Sequence, residues 1–111
     1  QQIIFGSGFD LIFVINHSEL VAVSLAAVVY SRNSGRVMKV YIDQPGVQFY
    51  TGNFLSGELV GKDGAVYERM AAFCLETQHF PDSPNKPTFP STFLRPGDRF
   101  ASRTMFEFLI E

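Results

Sequence analysis

The sequence has no tryptophan, a single cysteine and no long apolar run among its 111 residues. One cysteine excludes an internal disulfide framework and a cysteine-rich metal cluster. No apolar stretch approaches the roughly 20 residues that a membrane-spanning helix needs. Nine basic against eleven acidic residues give a net charge of -2, so the chain lacks the positive excess that binds nucleic acid or anionic lipid. We therefore expect neither nucleic acid nor a membrane as a partner.

Aromatic and β-branched residues are abundant, with twelve Phe and four Tyr, and such side chains favour strands over helices. Val21 to Tyr30 is apolar at nearly every position, which predicts a strand buried on both sides. A turn ending at Gly35 then joins it to a second strand, Arg36 to Ile42, as a hairpin. Shorter strands are predicted at 12–15, 47–50 and 73–77.

The end of the chain alternates with a period of two, as expected for a strand with one buried face. Its even apolar positions, which we expect to face the core, are Phe100, Phe106, Phe108 and Ile110. Five of the six prolines lie between Pro81 and Pro96, and this excludes a central strand or a helix there. The fold class predicted is all-β, an antiparallel β-sandwich, with residues 1–111 belonging to one domain.

Glu76 is the first candidate for chemistry, because it lies in the apolar segment Phe73 to Gln78. A desolvated carboxyl tends to have a raised pKa, which suits a general base near neutrality. The alternative is a glutamate on an exposed strand face, or one that caps a buried network.

Gln48 and Asp10 are candidates for ligand binding. Gln48 alternates with apolar neighbours and projects on the same strand face as Tyr50, so an amide and a phenol could together hydrogen-bond a polar ligand such as a sugar. A satisfied cross-strand amide is the alternative, and Asp10 could be a turn residue only. His17 and His79 have no partners at metal-ligand spacing, so we predict no metal site.

Two long segments resemble the aldose 1-epimerases, also called galactose mutarotases. They are Pro45 to Phe54, with the sequence PGVQFYTGNF, and Phe73 to Asn85, with the sequence FCLETQHFPDSPN. The shorter segments that also fit the family are Gly8 to Asp10, Ser34 to Met38, Phe89 to Thr92, Leu94 to Gly97 and Thr104 to Phe108. The resemblance covers nearly the whole chain and corresponds to the C-terminal part of a family member.

The resemblance implies a sandwich of the galactose mutarotase type and interconversion of the α and β anomers of aldohexoses such as galactose and glucose. It implies no metal or organic cofactor. It makes Glu76 the general base, while Asp10 and Gln48 hold hydroxyls of the sugar. The family's general acid, a histidine, lies upstream of the segment that this chain matches. A non-catalytic sugar-binding relative is the alternative function.

A partial sandwich has unpaired strand edges and an exposed apolar face. We therefore expect the chain to be accompanied by an N-terminal segment of the same protein, or to self-associate through its exposed edges, and we expect it alone to be inactive or nearly so. The family default places the protein in the cytoplasm.

Overall fold

The computed structural model describes residues 2–18 and 21–111, and its regular secondary structure is almost entirely β-strand, joined by long turns and loops. Its elements are α1 (Gln2–Phe5), β1 (Asp10–Val14), β2 (Ser24–Ser31), β3 (Arg36–Ile42), β4 (Gly46–Tyr50), β5 (Cys74–Gln78) and β6 (Thr104–Ile110), with 3-10 turns at Lys62–Gly64 and Ser83–Asn85. The all-β prediction is confirmed. In the part of the chain that is described, no helix is long and apolar enough to span a bilayer.

The six strands form two three-stranded sheets, with the orders β1-β4-β5 and β2-β3-β6. By their contacts the residues group into two compact units. The first unit comprises the residues up to 13 together with 48–76, and the second comprises 14–47 together with 77–111.

The predicted hairpin is present in the second unit. Strands β2 and β3 pair antiparallel from Ser31 opposite Arg36 to Ser24 opposite Ile42. Gly35 ends the turn with a φ of 65°, a backbone conformation that glycine adopts without steric cost. On its other side β3 pairs antiparallel with β6 along its whole length, so β3 is the central strand of this sheet.

The core of the second unit lies on β3, whose side chains Val37, Val40 and Ile42 are buried. The burial predicted for the end of the chain is wrong in this structure. Phe108 is 73% exposed and Ile110 82% exposed, and Phe100 precedes β6. The alternation itself is correct, but no described segment covers the apolar side of β6.

Strand β2 was expected to be buried on both sides, and this prediction is also wrong. Leu25, Val28 and Tyr30 are each about half exposed, because β2 is an edge strand and, among the described strands, pairs only with β3. The proline-rich segment has no strand, as predicted. Phe80 contacts Phe89 there in an edge-on arrangement, with ring centroids 5.2 Å apart.

Candidate functional site

Three phenylalanine rings from three parts of the chain meet in the first unit. The ring centroids of Phe9 and Phe49 are 5.3 Å apart, and those of Phe49 and Phe73 are 6.2 Å apart. Successive side chains of an extended segment point to opposite faces. The apolar rings therefore occupy one face of the β1-β4-β5 sheet, and the alternation assigns Asp10, Gln48 and Glu76 to the opposite face.

Asp10 and Gln48 are brought together by the pairing of β1 with β4. The amide of Thr51 donates to the carbonyl oxygen of Phe9 at 3.0 Å, which sets an antiparallel register in which Gln48 lies diagonally across from Asp10. The Gln48 side chain then donates through Nε2 to Asp10 Oδ1 at 2.7 Å. Two of the three candidate residues are thus in direct contact.

The bond to Asp10 also fixes the direction of the Gln48 amide, because an ionised carboxylate only accepts hydrogen bonds. Gln48 Oε1 is buried, and no described residue donates to it. The Asp10 side chain is exposed. The arrangement therefore offers an outward-facing carboxylate, backed by an amide, to a polar ligand.

Glu76 lies at the middle of β5, as predicted, but its side chain is exposed. Among residues 2–18 and 21–111, none forms a hydrogen bond or an ion pair with its carboxylate. The burial expected from its apolar neighbours is therefore not provided by the described residues. The carboxylate is available to solvent and to a ligand.

Both histidines bind the same residue of the second unit, which sequence reasoning did not foresee. The His17 ring contacts the Gln44 carbonyl oxygen through Nε2 at 2.7 Å and the Ser24 hydroxyl through Nδ1 at 3.1 Å. His79 Nδ1 contacts Gln44 Oε1 at 3.0 Å. Gln44 in turn donates through Nε2 to Asp43 at 3.1 Å. The spacing of the two histidines, 62 positions apart, gave no signal for this cluster.

Asp43 shows how this polar cluster affects a carboxyl group. Burial raises the pKa of Asp43, but hydrogen bonds from the Arg103 backbone, from the Gln44 side chain and from its own amide outweigh it, so that the pKa lies below its usual value. Within the described residues, no group of three or more His, Cys, Asp or Glu side chains could hold a metal ion.

A model of the aldose 1-epimerase family matches residues 1–107, and this match includes the three candidate residues. The chain belongs to the aldose 1-epimerase family. It is similar to human galactose mutarotase, with 50% identity over 104 residues, and to mouse galactose mutarotase, with 50% identity over 103 residues. It is also similar to the aldose 1-epimerase of Escherichia coli strain K12, with 39% identity over 89 residues.

These matches cover most of the chain but only part of each relative. The human and mouse alignments include 94% and 93% of the chain and 30% of each mutarotase. The bacterial alignment includes 78% of the chain and 25% of the relative. The chain therefore spans about 30% of the length of its mammalian relatives.

Proposed function

We propose that the complete protein carrying this chain is an aldose 1-epimerase that interconverts the α and β anomers of aldohexoses such as galactose and glucose. The observation that carries the proposal is the contact between Asp10 and Gln48 at 2.7 Å, on the face of the sheet that the alternation also assigns to Glu76. Three polar side chains on one face match the needs of sugar binding and of proton removal.

The proposed reaction needs one base and one acid. Glu76 takes the proton of the anomeric hydroxyl while an acid protonates the ring oxygen, and the bond between C1 and the ring oxygen breaks to give the open-chain aldehyde. Rotation about the C1–C2 bond and closure with the reverse proton transfers give the other anomer. The exposure of Glu76 leaves its carboxylate free to reach a bound hydroxyl.

Asp10 and Gln48 are proposed to hold hydroxyls of the hexose, so that the anomeric oxygen faces Glu76. The exposed carboxylate of Asp10 is the principal acceptor for the sugar, and Gln48 supports it. The acid is proposed to be a histidine from a segment of the complete protein outside this chain. His17 and His79 are not proposed for this role, because both are hydrogen-bonded to Gln44 in the second unit.

The test is mutarotation of freshly dissolved α-galactose, followed by polarimetry with the complete protein. Glu76→Gln keeps the size of the side chain but removes the base, so we expect kcat to fall by about 10²–10⁴-fold. Glu111→Gln is the matched control, since Glu111 is an exposed glutamate after β6 with no proposed role. Full activity of Glu76→Gln would contradict the proposal.

A non-catalytic sugar-binding protein of the same family is the second candidate. It is favoured by the exposure of Glu76 and by the lack of any described hydrogen-bond or ion-pair partner for its carboxylate. This candidate predicts that galactose binds, that Gln48→Ala weakens the binding, and that the polarimetric rate equals that of the buffer alone.

We also propose that residues 1–111 are the C-terminal part of one sandwich domain, and that the apolar side of β6 is covered in the complete protein. The exposed Phe106, Phe108 and Ile110 support this proposal, because contiguous apolar surface of this kind usually marks an interface. The cover is a segment of the same protein outside this chain or, in its absence, a second copy of the chain.

A further inference from the structure

The carboxylate of Asp10 is exposed, so its position depends on the backbone that precedes it. That backbone is an unusual turn, in which Ser7 has a φ of 55° and Gly8 a φ of 137°. Neither value belongs to an extended strand, and a turn of this kind does not hold itself in place. The contacts that fix the turn therefore also fix the position of the Asp10 backbone.

Those contacts converge on Phe9, the residue immediately before Asp10. The Phe9 amide donates to Thr51 Oγ1 at 2.8 Å, and the Phe9 carbonyl oxygen accepts from Asn53 Nδ2 at 3.1 Å. The hydroxyl of Thr51 in turn donates to Asn53 Oδ1 at 2.5 Å. Side chains thus bind both the N–H and the carbonyl group of Phe9, in addition to the backbone hydrogen bond from Thr51 that pairs β1 with β4.

Asn53 is only 5% exposed, and its own position is fixed from a second direction. Arg69 donates through Nε to the Asn53 carbonyl oxygen at 3.1 Å and through Nη2 to the Ser7 carbonyl oxygen at 2.6 Å. The Arg69 guanidinium therefore links the turn, at Ser7, to Asn53, whose side chain binds Phe9. Buried polar side chains keep their partners because an unsatisfied buried donor or acceptor is costly.

We propose that Thr51 and Asn53 are positioning residues for Asp10. They hold the Phe9 peptide groups so that the Asp10 carboxylate stays against Gln48 and faces the sugar. The proposal rests on the sugar-binding role of Asp10 in the proposed function. The backbone pairing of β1 with β4 would form without either side chain. Both side chains bind Phe9, the residue immediately before Asp10.

The test compares Thr51→Val with Thr51→Ser in the complete protein, using galactose mutarotation. Valine matches threonine in shape but leaves the Phe9 amide without an acceptor, whereas serine keeps the hydroxyl. We expect Thr51→Val to raise KM about tenfold with kcat changed less than about twofold, and Thr51→Ser to restore KM to within about twofold of the parent protein.

A double-mutant cycle separates positioning from general stability. In an Asp10→Ala background, Thr51→Val should change KM by less than about twofold, because its effect passes through Asp10. Equal effects of Thr51→Val in both backgrounds, or a Thr51→Ser variant as impaired as Thr51→Val, would overturn the proposal. Should Thr51→Val not fold, Thr51→Ala removes the same hydroxyl with less bulk and is judged by the same criteria.

The cycle also distinguishes the two proposals. If Asp10→Ala leaves KM for galactose unchanged, the sugar-binding role of Asp10 is wrong, and the positioning role is overturned with it. If Asp10→Ala raises KM and Thr51→Val does not, only the positioning role is wrong.

Discussion

Within each of the two units, a different kind of interaction dominates. In the second unit, β3 pairs on both sides and buries Val37, Val40 and Ile42. In the first unit, the turn before Asp10 is held by hydrogen bonds between side chains and backbone groups, and these side chains belong to Thr51, Asn53 and Arg69.

The difference shows that the stability of a sheet and the exact placement of a functional group come from different interactions. Burial of apolar side chains is non-directional and scales with the area removed from water, so it stabilises a sheet without fixing single atoms. Hydrogen bonds have narrow limits of distance and angle, so a network of them fixes where a functional group lies. The candidate site in the first unit depends on hydrogen bonds, and the sheet core of the second unit depends on apolar burial.

The largest effect is expected from shortening a buried side chain of β3. Ile42→Ala should lower the free energy of unfolding of the 111-residue chain by about 2–5 kcal/mol, because it removes a transfer contribution and leaves a cavity. Ile110→Ala is the matched control at protein concentrations where the chain is monomeric, since Ile110 of the single chain is 82% exposed, and it should cost less than about 0.5 kcal/mol. Urea unfolding measures both.

The same pair of variants tests the proposed cover of β6. In the complete protein, Ile110→Ala should become clearly more costly than in the 111-residue chain, because a covered isoleucine loses contacts when it is shortened. An Ile110→Ala cost that is equally small in both proteins would contradict the cover. Equal costs of Ile42→Ala and Ile110→Ala in the short chain would contradict the assignment of the core to β3.

A smaller effect is expected at the turn of the first unit. Gly8→Ala places a Cβ atom where it overlaps the side chains of Asn53 and Thr51, at a φ of 137°. We expect a loss of about 1–3 kcal/mol in the free energy of unfolding. In the complete protein we also expect a higher KM for galactose. Gly97→Ala is the control, because Gly97 also has a positive φ but has open space around it. Similar losses in the two variants would show that overlap with Asn53 is unimportant.

The smallest effect concerns Tyr41 in the second unit. The hydrogen bond that its hydroxyl donates to Glu107 at 2.9 Å raises the pKa of Tyr41 above its ordinary value of 10.0, with additional contributions from burial and from the charge of Glu107. The folded state therefore favours the neutral phenol. The contribution of this pKa shift to the free energy of unfolding is complete below pH 10, and it is lost as the pH rises through the raised pKa of Tyr41 in the folded state.

Glu107→Ala should return the pKa of Tyr41 toward 10.0 in an NMR titration of the tyrosine ring carbons. Lys39→Ala is the control, because Lys39 lies 3.7 Å from the Glu107 carboxylate and its removal leaves the bond to Tyr41 in place. A Tyr41 pKa that is unchanged in Glu107→Ala would contradict this account.

Much of the fold could be predicted from the sequence, because period-two alternation and turn residues are local signals. The hairpin around Gly35 and the short strands at 12–15, 47–50 and 73–77 are present, with bounds that differ by one or two residues in most cases. The predicted burial of the strand ending at Ile110 was wrong, since alternation shows which side chains share a face but not whether anything covers that face.

The candidate site was predictable in part. Alternation and family resemblance pointed to Asp10, Gln48 and Glu76, and the contact between Asp10 and Gln48 agrees with a shared face. The supporting role of Thr51 and Asn53 was not predicted. Their partners are backbone groups of Phe9 far away in the sequence, and no residue pattern records a bond to a distant peptide group.

The bonds that clamp Phe9 join residues 42 and 44 positions apart in the sequence. Closing such long loops costs entropy before any contact compensates for it, so long-range contacts form slowly. During synthesis, Phe9 leaves the ribosome well before Asn53 does. We therefore expect the turn before Asp10 to reach its final structure only after β4 and the segment following it have been made, later than the local hairpin around Gly35.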